Sequence, residues 1–143
     1  MIKNNTFIVA GIQLVSTANV EKNLHTVEGL IKQAVDQGAQ LIVLPENFAL
    51  MANTASALID CAEKIGSGEI QQFMAKLARQ YNVWLIGGSI PVQSGDSNKA
   101  LSACLVYDAN GEQVAQYNKL HLYDVNMIGT GHSYRESDSF VAG

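Results

Sequence analysis

Apolar positions along the chain fall into runs with two different periods. Phe7-Ile8-Val9-Ala10-Gly11-Ile12-Gln13-Leu14 is rich in β-formers and mostly apolar, which predicts a central strand. Asn19 then precedes a segment in which Leu24, Val27, Leu30, Ile31, Ala34 and Val35 recur at helical spacing, with Asn19 as the N-cap and Gly38 as the stop. Leu41-Ile42-Val43-Leu44 is an unbroken aliphatic run ended by Pro45, the pattern of a strand buried on both faces. Strand, helix and strand make a βαβ unit, whose crossover is expected to be right-handed. An alanine-rich stretch from Thr54 to Ile65 predicts a helix, broken by Gly66-Ser67-Gly68. A second helix is expected from Glu69 to Tyr81, with Ile70, Phe73, Met74, Leu77 and Ala78 as its stripe.

Val83 to Ile90 predicts the next buried strand, and Gly87-Gly88 within it signals a close backbone approach, a bulge or the strand's end. This glycine pair has neither phosphate-loop nor dinucleotide spacing, so a nucleotide site is excluded. Gln93 to Lys99 is a polar turn. Ala100 to Tyr107 reads as a strand, Asp108-Ala109-Asn110-Gly111 as a hairpin turn, and Glu112 to Asn118 as the returning strand. From Lys119 to Gly143 neither period persists, which predicts a long structured loop of the kind that carries function. The order βαβααβ plus a hairpin gives an α/β fold, a mixed β-sheet with flanking helices.

Composition narrows the choice of partners. The 143 residues suffice for one domain, and 48% hydrophobic with 15% charged residues is a globular balance. A net charge of −4 without a basic run argues against nucleic acid or an anionic membrane as partner. No signal peptide or transmembrane run is apparent. Two cysteines, Cys61 and Cys104, do not make a disulfide framework, so a reducing cytoplasm is the expected compartment. Both are read as small buried hydrophobes, Cys61 on a helix and Cys104 in a strand.

Candidate chemistry gathers at strand ends. Glu46 follows the Leu41–Leu44 run at once, at the carboxyl end of a buried strand, where open α/β folds place their ligands. A capping or surface glutamate is the plain alternative. Lys119 closes the last strand and would pair with Glu46 if the two strand ends are neighbours; an ammonium held in this way suits an oxyanion. A surface lysine is its alternative, and Glu136 carries the same ambiguity. His25, His121 and His132 have no metal-ligand spacing among themselves or with the cysteines. His25 is expected on a helix surface and His121 packed in a loop. Glycoside hydrolysis by Glu46 and Glu136 leaves Lys119 without a role and ranks low.

Taken in register, Leu41-Ile42-Val43-Leu44-Pro45-Glu46 with Phe48, Tyr117-Asn118-Lys119-Leu120-His121-Leu122-Tyr123-Asp124, and Tyr134-Arg135-Glu136-Ser137-Asp138-Ser139-Phe140 with Gly143 resemble the carbon–nitrogen hydrolase (nitrilase) superfamily. They look most like its omega-amidase and deaminated-glutathione amidase branch. The resemblance implies an α-β-β-α sandwich and a Glu-Lys-Cys triad cleaving a small carboxylate-bearing amide, with no metal or organic cofactor. It makes Glu46 the general base, Lys119 the oxyanion stabiliser and Glu136 the glutamate that orients the lysine. The family's nucleophilic cysteine lies beyond the Phe140–Gly143 match, and neither Cys61 nor Cys104 corresponds to it. Residues 1–143 are therefore expected to form the first half of the domain and to be inactive alone. The half-sandwich would associate as a homo-oligomer or with a complementing C-terminal half. A non-catalytic binding or assembly module of the same fold is the alternative.

Overall fold

The computed structural model describes residues 6–126 and 133–143, so His132 lies outside the described residues. Among the described residues, eight strands, three α-helices and one 3-10 turn follow one another. They are β1 (Val9–Gly11), α1 (Val20–Asp36), β2 (Leu41–Val43), α2 (Ala55–Asp60), α3 (Glu69–Tyr81), β3 (Trp84–Ile86), β4 (Ile90–Gln93), β5 (Ala100–Tyr107), β6 (Gln113–Asn118), β7 (Asp124–Asn126), β8 (Ser133–Arg135) and the 3-10 turn Glu136–Asp138. β1, β2 and β3 run parallel, while β3 and β4 both pair antiparallel with β5, whose other side takes β6. The sheet is mixed, as the pattern predicts.

Local signals set most of these elements. Asn19 caps α1 by accepting the Lys22 N–H at 2.8 Å, and Gly38 ends it at φ +87°. The stripes of α1 and α3 cover one face of the sheet. Leu24, Val27, Ile31, Ile70, Met74 and Leu77 pack on Ile42, Leu85, Ala103 and Leu105 in one core. Each large aliphatic side chain fully buried there stabilises the fold by about 1.5–3 kcal/mol. Among the described residues no helix is long and apolar enough to cross a membrane.

Four expectations need correction. The first strand is not central: β1 is three residues long at the end of the strand order, and Phe7, Ile8 and Val9 are exposed. A β-rich run specifies a strand but not its place in the sheet, which depends on partners distant in sequence. The alanine-rich helix stops at Asp60 rather than Ile65, because Glu63 is drawn elsewhere. Its backbone bridges Val92, and its carboxylate accepts the Ile70 and Gln71 N–H groups at 2.6 and 3.1 Å, capping α3 where Gly68 has no side chain to do so. The Val83–Ile90 strand is divided. From Ile86 to Ile90 the chain advances four residues while its partner steps only three, from Val106 to Ala103, so an extra residue bulges at Gly87-Gly88. Finally, the closing segment is not irregular throughout: β7 and β8 form a hairpin that feeds the 3-10 turn. Its strands are too short to show a period of two.

Among the described residues the sheet's second face is largely uncovered. Ile42 and Leu85 point to the helices, so the pleat turns Val9, Leu41, Val43, Trp84, Ile86, Cys104, Val106 and Tyr117 the other way. Val9, Trp84 and Tyr117 are exposed and the others are half-buried.

Candidate active site

Glu46 is held in place by its backbone neighbours. The Leu44 N–H donates to the Ile86 carbonyl at 2.9 Å and continues the β2–β3 pairing for one residue, until Pro45 brings no donor. The chain then leans onto the bulge. Glu46 bridges Ser89, and the Asn47 N–H reaches both the Ser89 carbonyl and its Oγ at 3.2 Å. Asn47 itself takes the left-handed conformation, at φ +55°. Gly88 allows this approach: a Cβ there would lie 1.9 Å from the Pro45 carbonyl oxygen. The close approach expected of the glycine pair is thus real, and it lies directly beside the Pro-Glu turn. Asn23 fixes the far side, its Nδ2 donating to the carbonyls of Thr17 and Ala49 at 2.7 and 2.9 Å.

Lys119 follows β6, its N–H donating to the Ser102 carbonyl at 2.9 Å. Its Nζ lies 3.1 Å from Glu46 Oε1 and 2.9 Å from the Glu136 carboxylate. β2 and β6 are not neighbours, since the β3–β4 strand and β5 lie between them. Three strand spacings of about 4.8 Å separate them. Two long side chains bridge that gap above a floor of small residues. Gly88, Ser89, Ser102 and Cys104, with Tyr117 as a wall, line a hollow of about 230 Å³ rimmed by Glu46 and Lys119. Because Cys104 and Tyr117 belong to the bare face, the hollow opens on that side. Two larger hollows, each about 410 Å³, contain none of these side chains.

Glu136 is buried, and its second oxygen accepts the Tyr123 N–H at 2.5 Å. Glu46 is more than half exposed. The charge of Lys119 reflects opposing influences. Burial lowers its pKa, but hydrogen bonds and charge from Glu136 and Glu46 outweigh it, so the group sits above the ordinary lysine value and stays an ammonium at neutral pH. An ammonium fixed between two carboxylates can donate to a developing oxyanion, and the exposed carboxylate beside it can take a proton.

The structure therefore brings Glu46, Lys119 and Glu136 together. The other candidates differ from expectation in detail. Both cysteines are free and half-buried rather than buried. Cys61 caps the short α2, and Cys104 loses full cover because its side of β5 is the bare one. Burial pushes both thiols up, with Glu63 and Glu69 adding to the effect at Cys61. His25 is exposed on α1 as expected, whereas His121 is exposed at a bend and not packed. Sequence reasoning missed Ser89, Ser102 and Tyr117 as lining residues. The strand alternation of β5 and β6 carries the signal for the last two, once the hairpin register is known.

The chain matches known proteins over nearly its whole length. Residues 8–143 match the family model described as carbon-nitrogen hydrolase. A deaminated glutathione amidase from Yersinia enterocolitica is 40% identical over 136 residues, 94% of this chain and 47% of the relative. Omega-amidase NIT2 from Bos taurus is 36% identical over 138 residues, 96% of this chain and 48% of the relative. The NitFhit protein of C. elegans superposes with a TM-score of 0.82 at 29% identity, over 94% of this chain and 32% of that one. The chain thus spans about half the length of the amidases it matches. With the match covering nearly every residue, and the Pro-Glu turn and the lysine meeting at one rim, the chain belongs to the carbon-nitrogen hydrolase family.

Proposed function

We propose that this chain carries the carboxylate–ammonium part of an amidase site, and that the attacking thiol comes from polypeptide outside residues 1–143. The observation that carries the reading is the Lys119 ammonium lying 3.1 Å from Glu46 and 2.9 Å from Glu136, on the rim of a hollow that opens toward a bare sheet face. In the reaction, Glu46 takes the proton of the incoming thiol as sulfur attacks the amide carbon. Lys119 donates to the oxyanion. Collapse breaks the C–N bond, the amine leaves with the proton from Glu46, and a thioester remains. Water, deprotonated by Glu46, then releases the acid and regenerates the thiol. Glu136, buried and anchored on the Tyr123 N–H, holds the lysine in place. The substrate is a small amide bearing a carboxylate, the class suggested by the names of the amidase relatives.

Cys104 is a wall of the hollow and not the nucleophile. Burial raises the pKa of its thiol, and among the described residues no base is hydrogen-bonded to it. A second sheet laid on the bare face would bring a cysteine to the open side of the hollow and cover Val9, Trp84 and Tyr117. Residues 1–143 by themselves are then inactive and associate through that face. Free Cys61 and Cys104 suit a reducing cytoplasm.

The exposed Val9, Trp84 and Tyr117 side chains on one sheet face also favour a second reading, a binding or assembly module without turnover. Mixing the chain with a separately produced segment that supplies a second sheet and its cysteine separates the two. Ammonia release that Glu46→Gln or Lys119→Ala abolishes and Cys104→Ser leaves intact supports the amidase. Complex formation with no ammonia from any small amide supports the module. Light scattering of the chain alone is expected to give a dimer or larger species, and a monomer with a cooperative melt would count against association.

A further inference from the structure

Glu136 begins the 3-10 turn, and the residue that fixes that turn is not part of the triad. Asp124 Oδ1 accepts the Ser137 N–H at 3.1 Å, and Asp124 Oδ2 accepts the Ser137 hydroxyl at 2.7 Å. Both oxygens of one carboxylate are thus committed to the residue next to Glu136. The same hairpin pairs Asp124 with Arg135, and the Glu136 N–H donates to the Tyr123 carbonyl at 3.2 Å. Glu136 is therefore bracketed by contacts on both sides, while its own carboxylate spans the Tyr123 N–H and the Lys119 Nζ.

We propose that Asp124 and Ser137 are positioning residues, whose two-point contact locks Glu136 into the orientation that holds the Lys119 ammonium. A single hydrogen bond leaves a turn free to pivot, whereas two bonds from one rigid carboxylate to a backbone N–H and a hydroxyl fix both place and rotation. The clamp also persists across the neutral range. The Ser137 hydroxyl, and then its N–H, hold the Asp124 carboxyl below the usual carboxylate range, so it remains charged. Without the clamp, Lys119 keeps only Glu46, the more exposed of its two partners. The catalytic meaning of this clamp rests on the amidase reading, but the ion pair can be measured without any turnover.

Competitive labelling of the chain with acetic anhydride, read by mass spectrometry, reports how freely each lysine gives up its proton. Lys76, exposed on α3, serves as the internal reference. Lys119 is expected to label more slowly than Lys76 in the parent chain. Asp124→Ala and Ser137→Ala should each raise the Lys119/Lys76 ratio about threefold or more, the equivalent of roughly half a pKa unit. Asp124→Asn retains the Oδ1 acceptor for the Ser137 N–H, and its Nδ2 can donate to the Ser137 Oγ, so the two-point contact is kept and much of the loss should be recovered. Glu136→Gln defines complete release. A merely structural role would lower the melting temperature without altering the ratio. If Asp124→Ala fails to fold, Ser137→Ala, which deletes one hydroxyl, decides alone. An unchanged ratio in the folded variants overturns the clamp while leaving Glu136→Gln as evidence for the pair. An unchanged ratio in Glu136→Gln as well removes the pair and the clamp together. Failure to recover ammonia in the reconstitution test leaves the labelling result intact.

Discussion

Replacing Gly88 by alanine should be among the most damaging single-methyl additions in the chain, and the structure gives its size. Gly88 has φ +46°, a conformation that costs an L-residue about 1–2 kcal/mol. The added Cβ would also meet the Pro45 carbonyl oxygen at 1.9 Å, its carbon at 2.5 Å and the Leu44 oxygen at 2.7 Å. The atoms in the way are backbone, so no rotamer change relieves the overlap. Pro45 must retreat by roughly 1.4 Å to reach an ordinary carbon–oxygen separation of about 3.3 Å. Overpacking that forces the backbone to move costs about 1–3 kcal/mol more. Gly88→Ala should therefore lose roughly 2–5 kcal/mol, the sum of the conformational and steric costs. Urea unfolding followed by the fluorescence of Trp84, the single tryptophan, measures it. Gly95→Ala is the matched control, because nothing lies within 4 Å of a Cβ there and its φ is not positive. It should stay within about 0.5 kcal/mol of the parent. If the two variants unfold at the same urea concentration, the Pro-Glu turn does not rest on the bulge and the account of how Glu46 is placed is wrong.

Two further outcomes follow from the fold. Glu63→Ala removes the carboxylate that caps α3 through the Ile70 and Gln71 N–H groups, at a helix start that Gly68 cannot cap, and should cost about 1–3 kcal/mol in the same urea assay. Asp108 has its pKa lowered, first by the Glu112 N–H, with desolvation opposing and the Asn110 side chain and N–H adding to the lowering, so its contribution to stability is present above the unfolded value and is lost as pH falls through the lower folded one. Asp108→Asn should therefore flatten the acid limb of a melting-temperature profile below about pH 4 and leave its slope at neutral pH unchanged.

The extent of agreement between sequence and structure follows the range of the forces involved. α3 is observed over the expected Glu69–Tyr81, and β5 over Ala100–Tyr107, because the apolar period of the helix and the strand's turn-bounded apolar run can be read without any distant partner. The Asp108–Gly111 turn is equally local, its Asp108 carboxylate accepting the Asn110 and Glu112 N–H groups. The errors arise where a distant partner decides. The alanine-rich stretch has good helix propensity throughout, yet Glu63 gains more from capping α3 and pairing with β4 than from continuing α2. The edge position of β1 is likewise a property of the strand order and not of its residues.

The site shows the same division more sharply. Pro45-Glu46 is legible as a strand end and Lys119 as another, but pairing them on the basis of neighbouring strands would be mistaken, since two strands intervene. Three non-local features make the meeting work. The bulge at Gly87-Gly88 draws the Pro-Glu turn toward β5, Ser102 accepts the Lys119 N–H at the start of the crossing, and the floor between is kept to small side chains. A large residue at Ser89 or Ser102 would occupy the space over which the lysine reaches, although neither serine is hydrogen-bonded to its ammonium. The smallness of that floor is as much a requirement of the ion pair as the charges are, and no periodicity in the chain records it. Resemblance to a family supplies the residues, whereas the strand register explains why they can meet.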